Sequence, residues 1–152
     1  MASPQSTQFA VAVHVLTYLA GTGAGPSDVE PRADGATELA ASTQVTPVHV
    51  RRVLAPLREA GLLASAPGAH GGWRLLVDPK DIRLDTVWRL VRGDEPVLAI
   101  HLPSPQCPVG RSIQDGLHDV DAAVARATEA TLALTTVADL VPVVAVARAT
   151  GR

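Results

Sequence analysis

The sequence predicts a mostly α-helical chain with a small β-wing: a winged helix-turn-helix plus a long C-terminal dimerisation helix. Three observations predict it. A short helix, a tight turn and a capped amphipathic helix follow one another between residues 36 and 60. A hairpin with a Gly-rich loop occupies residues 62–77. An apolar seam then runs at heptad spacing from Ile113 to Leu134.

Taken in order, residues 4–20 form a helix carrying Phe9, Val13, Leu16 and Ala20 at steps of four, three and four, with Ser3 as cap and Pro4 in the first position. Residues 21–35 hold four Gly and two Pro and form a loop. A short helix covers 36–42 and a turn 43–46. Thr46 caps the next helix, which starts at Pro47 and stops at Gly61. Its apolar face is Val50, Val53, Leu54 and Leu57. Pro56 deletes the bond to the Arg52 carbonyl, so a kink or an early end is expected there. Strands at 62–66 and 73–77 flank the turn sequence PGAHGG. A helix over 84–92 ends at Gly93, and 94–106 is irregular.

The long helix begins near Pro108. Its seam is Ile113, Leu117, Val120, Val124, Ala127, Thr131 and Leu134, at alternating steps of four and three. A last helix covers about 136–149 and bends at Pro142. A seam of this kind packs either on the chain's own core or on a second copy; its place at the end of a small domain favours a homodimer. The expected organisation is a winged-helix domain at 1–93, a linker or sensor loop at 94–107 and dimerisation helices at 108–152.

Composition bounds the function. With 47% hydrophobic residues among 152, the chain can build a core, which excludes wholesale disorder. The single cysteine excludes an intramolecular disulfide and any site needing several thiolates from one chain. The longest apolar stretch, Val137–Ala147, is interrupted by Asp139 and Pro142 and falls short of the roughly 20 residues of a spanning helix. No basic n-region opens the chain. A soluble, cytoplasmic, nucleoid-associated protein with no membrane partner is expected. The formal charge is −2, so nucleic-acid binding must rest on a local patch. No nucleophile elbow, phosphate loop, zinc-protease motif or dinucleotide fingerprint is present, so no enzyme is expected.

That patch exists. If Val50, Val53, Leu54 and Leu57 face inward, Arg52 points away from them, with His49 and Arg51 beside it and Thr46, Pro47 and Val48 at the leading end. A helix fits the DNA major groove, and its first turn and outer face meet base edges. Arginine can bind guanine through two hydrogen bonds, worth roughly 1–3 kcal/mol of discrimination. Thr46 and Val48 suit a thymine methyl. Between 36 and 76, Arg51, Arg52, Arg58 and Arg74 face only Glu38 and Glu59. His70, Gly71, Gly72 and Arg74 form or flank the wing, where His70 and Arg74 could reach an adjacent minor groove or phosphates, and Ser6 and Gln8 near the start could hold phosphates. On an arbitrary helix such arginines would be a solvated face. Here the cap, the tight turn and the hairpin agree on double-stranded DNA, with a winged-helix protein–protein module as the alternative.

The stretches ELA, TPVHVRRVL, LREAGLL, GGWRL and DIRLDTVWRLVRG, with the C-terminal CPVGRSIQ and TTVADLV, resemble the Rrf-two family of bacterial regulators over nearly the whole chain. The CPVG form is most similar to its YwnA-like branch. The resemblance implies a dimeric repressor or activator on a pseudo-palindromic operator, with the long helix making the dimer. Cluster-binding members carry three cysteines before that helix. Here residues 94–112 supply Cys107 alone, so no iron–sulfur cluster, other cofactor or metal site is expected. Cys107 precedes Pro108 and so sits at the N-cap of the long helix, where a helix's positive end raises thiol reactivity. It is either a redox sensor answering an oxidant or a small, buried, inert residue; a small-molecule signal is the other kind of input. Trp73 and Trp88 read as core or wing-packing residues, and Asp78, Asp81 and Asp85 as helix-start signals.

Overall fold

The computed structural model describes residues 4–26 and 33–142, with six helices and one hairpin among them. Helices α1 (Pro4–Gly21), α2 (Ala36–Thr43) and α3 (Pro47–Glu59) precede strands β1 (Leu63–Ala66) and β2 (Gly72–Leu75). Helices α4 (Leu84–Arg92), α5 (Pro108–Leu132) and α6 (Val137–Leu140) follow. Ser3, the Ser6 side chain and positions 143–149 of the expected last helix lie outside the described residues.

The core gathers one face from each element of the first ninety residues. α3 gives the expected Val50, Val53, Leu54 and Leu57, all at most 2% exposed. α1 turns Val11, Ala12, Val15, Leu16 and Leu19 inward, so its buried face is rotated from the expected one; Phe9, Val13 and Ala20 pack at the margin. Leu39 comes from α2, Leu63, Trp73 and Leu75 from the hairpin, and Ile82, Leu84 and Val87 from α4 and the turn before it.

Two segments close this core in ways periodicity does not announce. Residues around Asp34 pair with β2, Asp34 N–H donating to the Trp73 carbonyl at 3.1 Å and Trp73 N–H donating back at 2.9 Å. After α5 the chain returns to the start of α4. Leu84 N–H donates to the Thr135 carbonyl and Val137 N–H to the Ile82 carbonyl, and Val137 is fully buried. A capping box at Thr136 and Asp139 starts α6, and the two Thr136 hydrogen bonds hold the Asp139 carboxyl below the usual carboxylate range.

α3 runs through Pro56 to Glu59, so the early end expected at that proline does not occur. The lost bond falls on the exposed side, where water can satisfy the Arg52 carbonyl, and only three more helical residues follow. Asp85 is no cap either: the N-cap of α4 is Arg83. The buried Asp85 carboxylate instead receives Arg83 Nε at 2.9 Å and Arg83 Nη2 at 2.6 Å, with Arg89 Nη2 at 3.2 Å. The Arg83 hydrogen bonds hold its carboxyl below the ordinary value against the opposing pull of burial.

Candidate nucleic-acid interface

The turn between α2 and α3 sets how α3 is presented. α2 ends on Gln44, whose φ of 58° reverses the chain, and Gln44 Nε2 donates to the Ala41 carbonyl at 2.7 Å. Two residues later Thr46 Oγ1 accepts from His49 N–H at 3.2 Å, and Pro47 follows in the first helical position. The leading turn of α3 thereby stands clear of the body. Val48 is 70% exposed, an unusual state for a large aliphatic side chain near a core. Thr46, Arg51 and Arg52 are exposed, and Pro47 and His49 half-buried.

The wing is held by glycine at its base. Gly72 has φ +141°, and a Cβ there would stand 2.7 Å from the Asp34 carbonyl, so any larger residue breaks the Asp34–Trp73 pairing. Gly71 is enclosed by Ala66 and Pro67 backbone. Both glycines are therefore explained by hairpin closure. His70 is exposed at the tip. In the register, Ser65 stands opposite Trp73 and Ala64 opposite Arg74, so Arg74 lies on the outer face of the wing and Ser65 on the inner one.

Between α3 and that inner face lies a cleft of about 570 Å³, lined by Arg51 and Arg58 of α3, by Ser65, Pro67 and Gly68 of the hairpin, and by Trp73 and the start of α2. Ser65 is not named by the sequence analysis, and Arg58 is counted there in the basic patch without a contact of its own. The signal for Arg58 was present, because it follows Arg51 by seven residues and so shares its side of the helix. No acidic side chain among the described residues lines the cleft. Arg51, Arg52, Arg58 and Arg74 make no ion pair or hydrogen bond with the described residues.

α5 presents a second open surface. None of its residues is buried. Ile113 and Val120 are 51% and 49% exposed, and Ala127 and Leu134 are also exposed. Leu117 and Val124 are half-buried, turned toward the rest of the chain. The open stripe is Val109, Ile113, Gly116, Val120, Ala123, Ala127, Ala130 and Leu134, again at steps of four and three. It shares every second position with the seam read from the sequence and replaces the others by Gly116, Ala123 and Ala130.

The loop before α5 is fastened to it. Leu98 N–H donates to Asp121 Oδ1 at 2.6 Å, and Arg111 Nη1 to the Pro105 carbonyl at 2.7 Å. Cys107 is the N-cap of α5, its Sγ accepting from Gly110 N–H at 3.4 Å. It is exposed, not buried as one of its two readings had it.

Residues 5–142 match the family model of Rrf2, described as an iron-dependent transcriptional regulator. The chain belongs to the Rrf2 family. The HTH-type transcriptional regulator YwnA of Bacillus subtilis is 35% identical over 136 residues, which cover 89% of this chain and 95% of YwnA. A crystal structure of a transcriptional regulator from Lactobacillus plantarum superposes with a TM-score of 0.69 at 26% identity, over 88% of this chain and 86% of that one. The oxidised form of Staphylococcus aureus CymR shares the fold, with a TM-score of 0.60 at 21% identity over 91% and 96% of the two chains. As an Rrf2 protein the chain is a DNA-binding transcription regulator and not an enzyme. The iron of the family description finds no fit here: among the described residues no group of three or more His, Cys, Asp or Glu could hold a metal. No described helix is long and apolar enough to cross a membrane.

Proposed function

We propose that the protein is a homodimer that binds a pseudo-palindromic operator in double-stranded DNA, acting as a repressor, with one α3 in the major groove of each half-site. The observation that carries this reading is the outer face of α3, where exposed Val48, Arg51 and Arg52 stand beside a capped helix start with no partner among the described residues. Side chains left open in this way suit base edges and phosphates. Thr46, Pro47 and His49 complete that leading turn, and His70 and Arg74 extend it along the wing. Gly71 and Gly72 serve by shaping the wing.

The open stripe on α5 supports the dimer. Eight apolar or small residues at heptad spacing lie in water in the single chain, and a second copy would cover them. Gly116, Ala123, Ala127 and Ala130 would let the two helices approach closely. Leu117 and Val124 then serve the inner side of α5 rather than the centre of the interface.

Cys107 is the group through which an oxidant would act. Peroxide adds one oxygen to Sγ to give the sulfenic acid and releases water. The new hydroxyl changes the atom that accepts the first-turn N–H of α5. Chromatin footprinting in the source bacterium tests the whole reading. Discrete, twofold-symmetric sites at promoters are expected, lost on peroxide treatment for the wild type and retained for Cys107→Ser. No enrichment over input would contradict DNA regulation, and an identical peroxide response in both proteins would remove the thiol.

A further inference from the structure

We propose that the cleft between α3 and the wing seats the sugar-phosphate backbone of duplex DNA, Arg51 and Arg58 each taking one phosphate, which leaves Arg52 as the guanidinium for base edges. The inference rests on the DNA-binding reading above and divides its labour among the arginines.

The first observation is the placement of charge. Arg51 and Arg58 line one wall of the cleft and are exposed, with no ion pair or hydrogen bond to any described residue. No described acidic side chain lines the cleft. Two uncompensated guanidinium groups on one wall make an anion site, and arginine's planar fork matches phosphate oxygens.

The second is spacing. Seven residues of α-helix bring Arg58 back to within about 20° of Arg51 and roughly 10 Å along the axis. One DNA strand carries a phosphate about every 3.4 Å of its axis, so the pair spans more than one phosphate. The cleft's 570 Å³ is on the order of twenty water volumes at about 30 Å³ each, enough for a phosphodiester and its hydration. The opposite wall offers the Ser65 hydroxyl and the hairpin backbone at Gly68.

The third is what the cleft leaves out. Arg52 lies one residue on, about 100° around α3, and does not line it. Its neighbour on that side is the exposed Val48, one turn earlier. Arg74 lies on the outer face of the wing. A duplex meeting α3 therefore finds an apolar side chain and one guanidinium on its outer face, and two guanidinium groups toward the wing.

The test is a fluorescence-anisotropy titration of the full chain with a 30-bp random-sequence duplex, between about 50 and 200 mM salt. The plot of log affinity against log salt should become shallower by about 0.9 for Arg51→Gln and for Arg58→Gln, and by about twice that for the double variant. Arg51→Lys, which keeps the charge, should keep the wild-type slope. Arg126→Gln, at an exposed arginine of α5 that does not line the cleft, should also keep it. If wild type binds while Arg51→Gln and Arg58→Gln titrate as it does, the cleft does not meet the backbone and the proposal fails. An equal loss of slope for Arg126→Gln would also overturn it. Equilibrium dialysis against inorganic phosphate distinguishes the remaining source of the same chemistry. Phosphate held by wild type and lost in the double variant, with the DNA slope unchanged, would make this a free-anion site. A wild type without salt-dependent binding to any duplex would instead overturn the DNA-binding reading itself.

Discussion

Three residues show how local chemistry shapes the fold around α3 and the wing. Thr46 closes the first turn of α3 through one hydrogen bond. Thr46→Ala should lower the unfolding free energy by about 1 kcal/mol, and Thr46→Asn should keep it, as read by urea denaturation. Gly72 is held at φ +141° against Asp34. Gly72→Ala should cost about 1–3 kcal/mol, combining backbone strain with the loss of the Asp34–Trp73 pairing. Asp85 carries the pH dependence. Its folded pKa lies below the ordinary aspartate value because of the Arg83 hydrogen bonds, so its contribution is present above the unfolded range and lost as pH falls through the folded pKa. Asp85→Asn should therefore be less stable than wild type at pH 7, and the gap should narrow steadily below about pH 4. A gap of constant size across that range would show that the Arg83–Asp85 pair is not its source. Thr46 was legible because a cap obeys a local rule. The neighbour of Gly72 was not, because Asp34 reaches it through the fold; the partners of Asp85 are local, Arg83 two residues before it and Arg89 one turn later, but Asp85 was read only as a helix start.

At the scale of elements, the sequence was clearest where one period governed a whole segment. α4 falls on residues 84–92 and α5 starts at Pro108, as the glycine stop and the Cys-Pro start foretold. The α3 face came out complete because four large apolar residues leave one reading. α1 is apolar nearly all round, so its sequence could not choose between adjacent faces, and the buried one is rotated from the expected one. The single-residue pairing at Asp34 has no period to detect. α5 carries two seams one residue apart in register. The spacing names the one with Leu117 and Val124, whereas in the fold these two are half-buried and face the chain itself. The stripe that remains makes a specific prediction. Ala127→Glu should raise the dimer dissociation constant at least tenfold, about 1.4 kcal/mol, in sedimentation equilibrium. Ala122→Glu, exposed on another face of α5, should leave it unchanged.

The whole molecule joins the wing, the core and α5 through few but direct connections. Arg89 stands between Asp85, at the start of α4, and Glu129 on α5, at 3.2 Å and 3.8 Å. The return of the chain at Val137 fixes the far end of α5 to the same core that holds α3. In the proposed dimer, these contacts would pass a movement of α5 to α3 and so change the separation of the two reading helices. That separation is what an operator measures, because two half-sites must present the same groove about one DNA turn apart, or a multiple of it. The most direct measurement is selection of bound sequences from a pool of random duplexes by the purified full-length protein. The selected sites should be inverted repeats with centres about 10–10.5 bp, or a multiple, apart. A single unsymmetrical site bound by one chain, or no enriched sequence at all, would contradict the account.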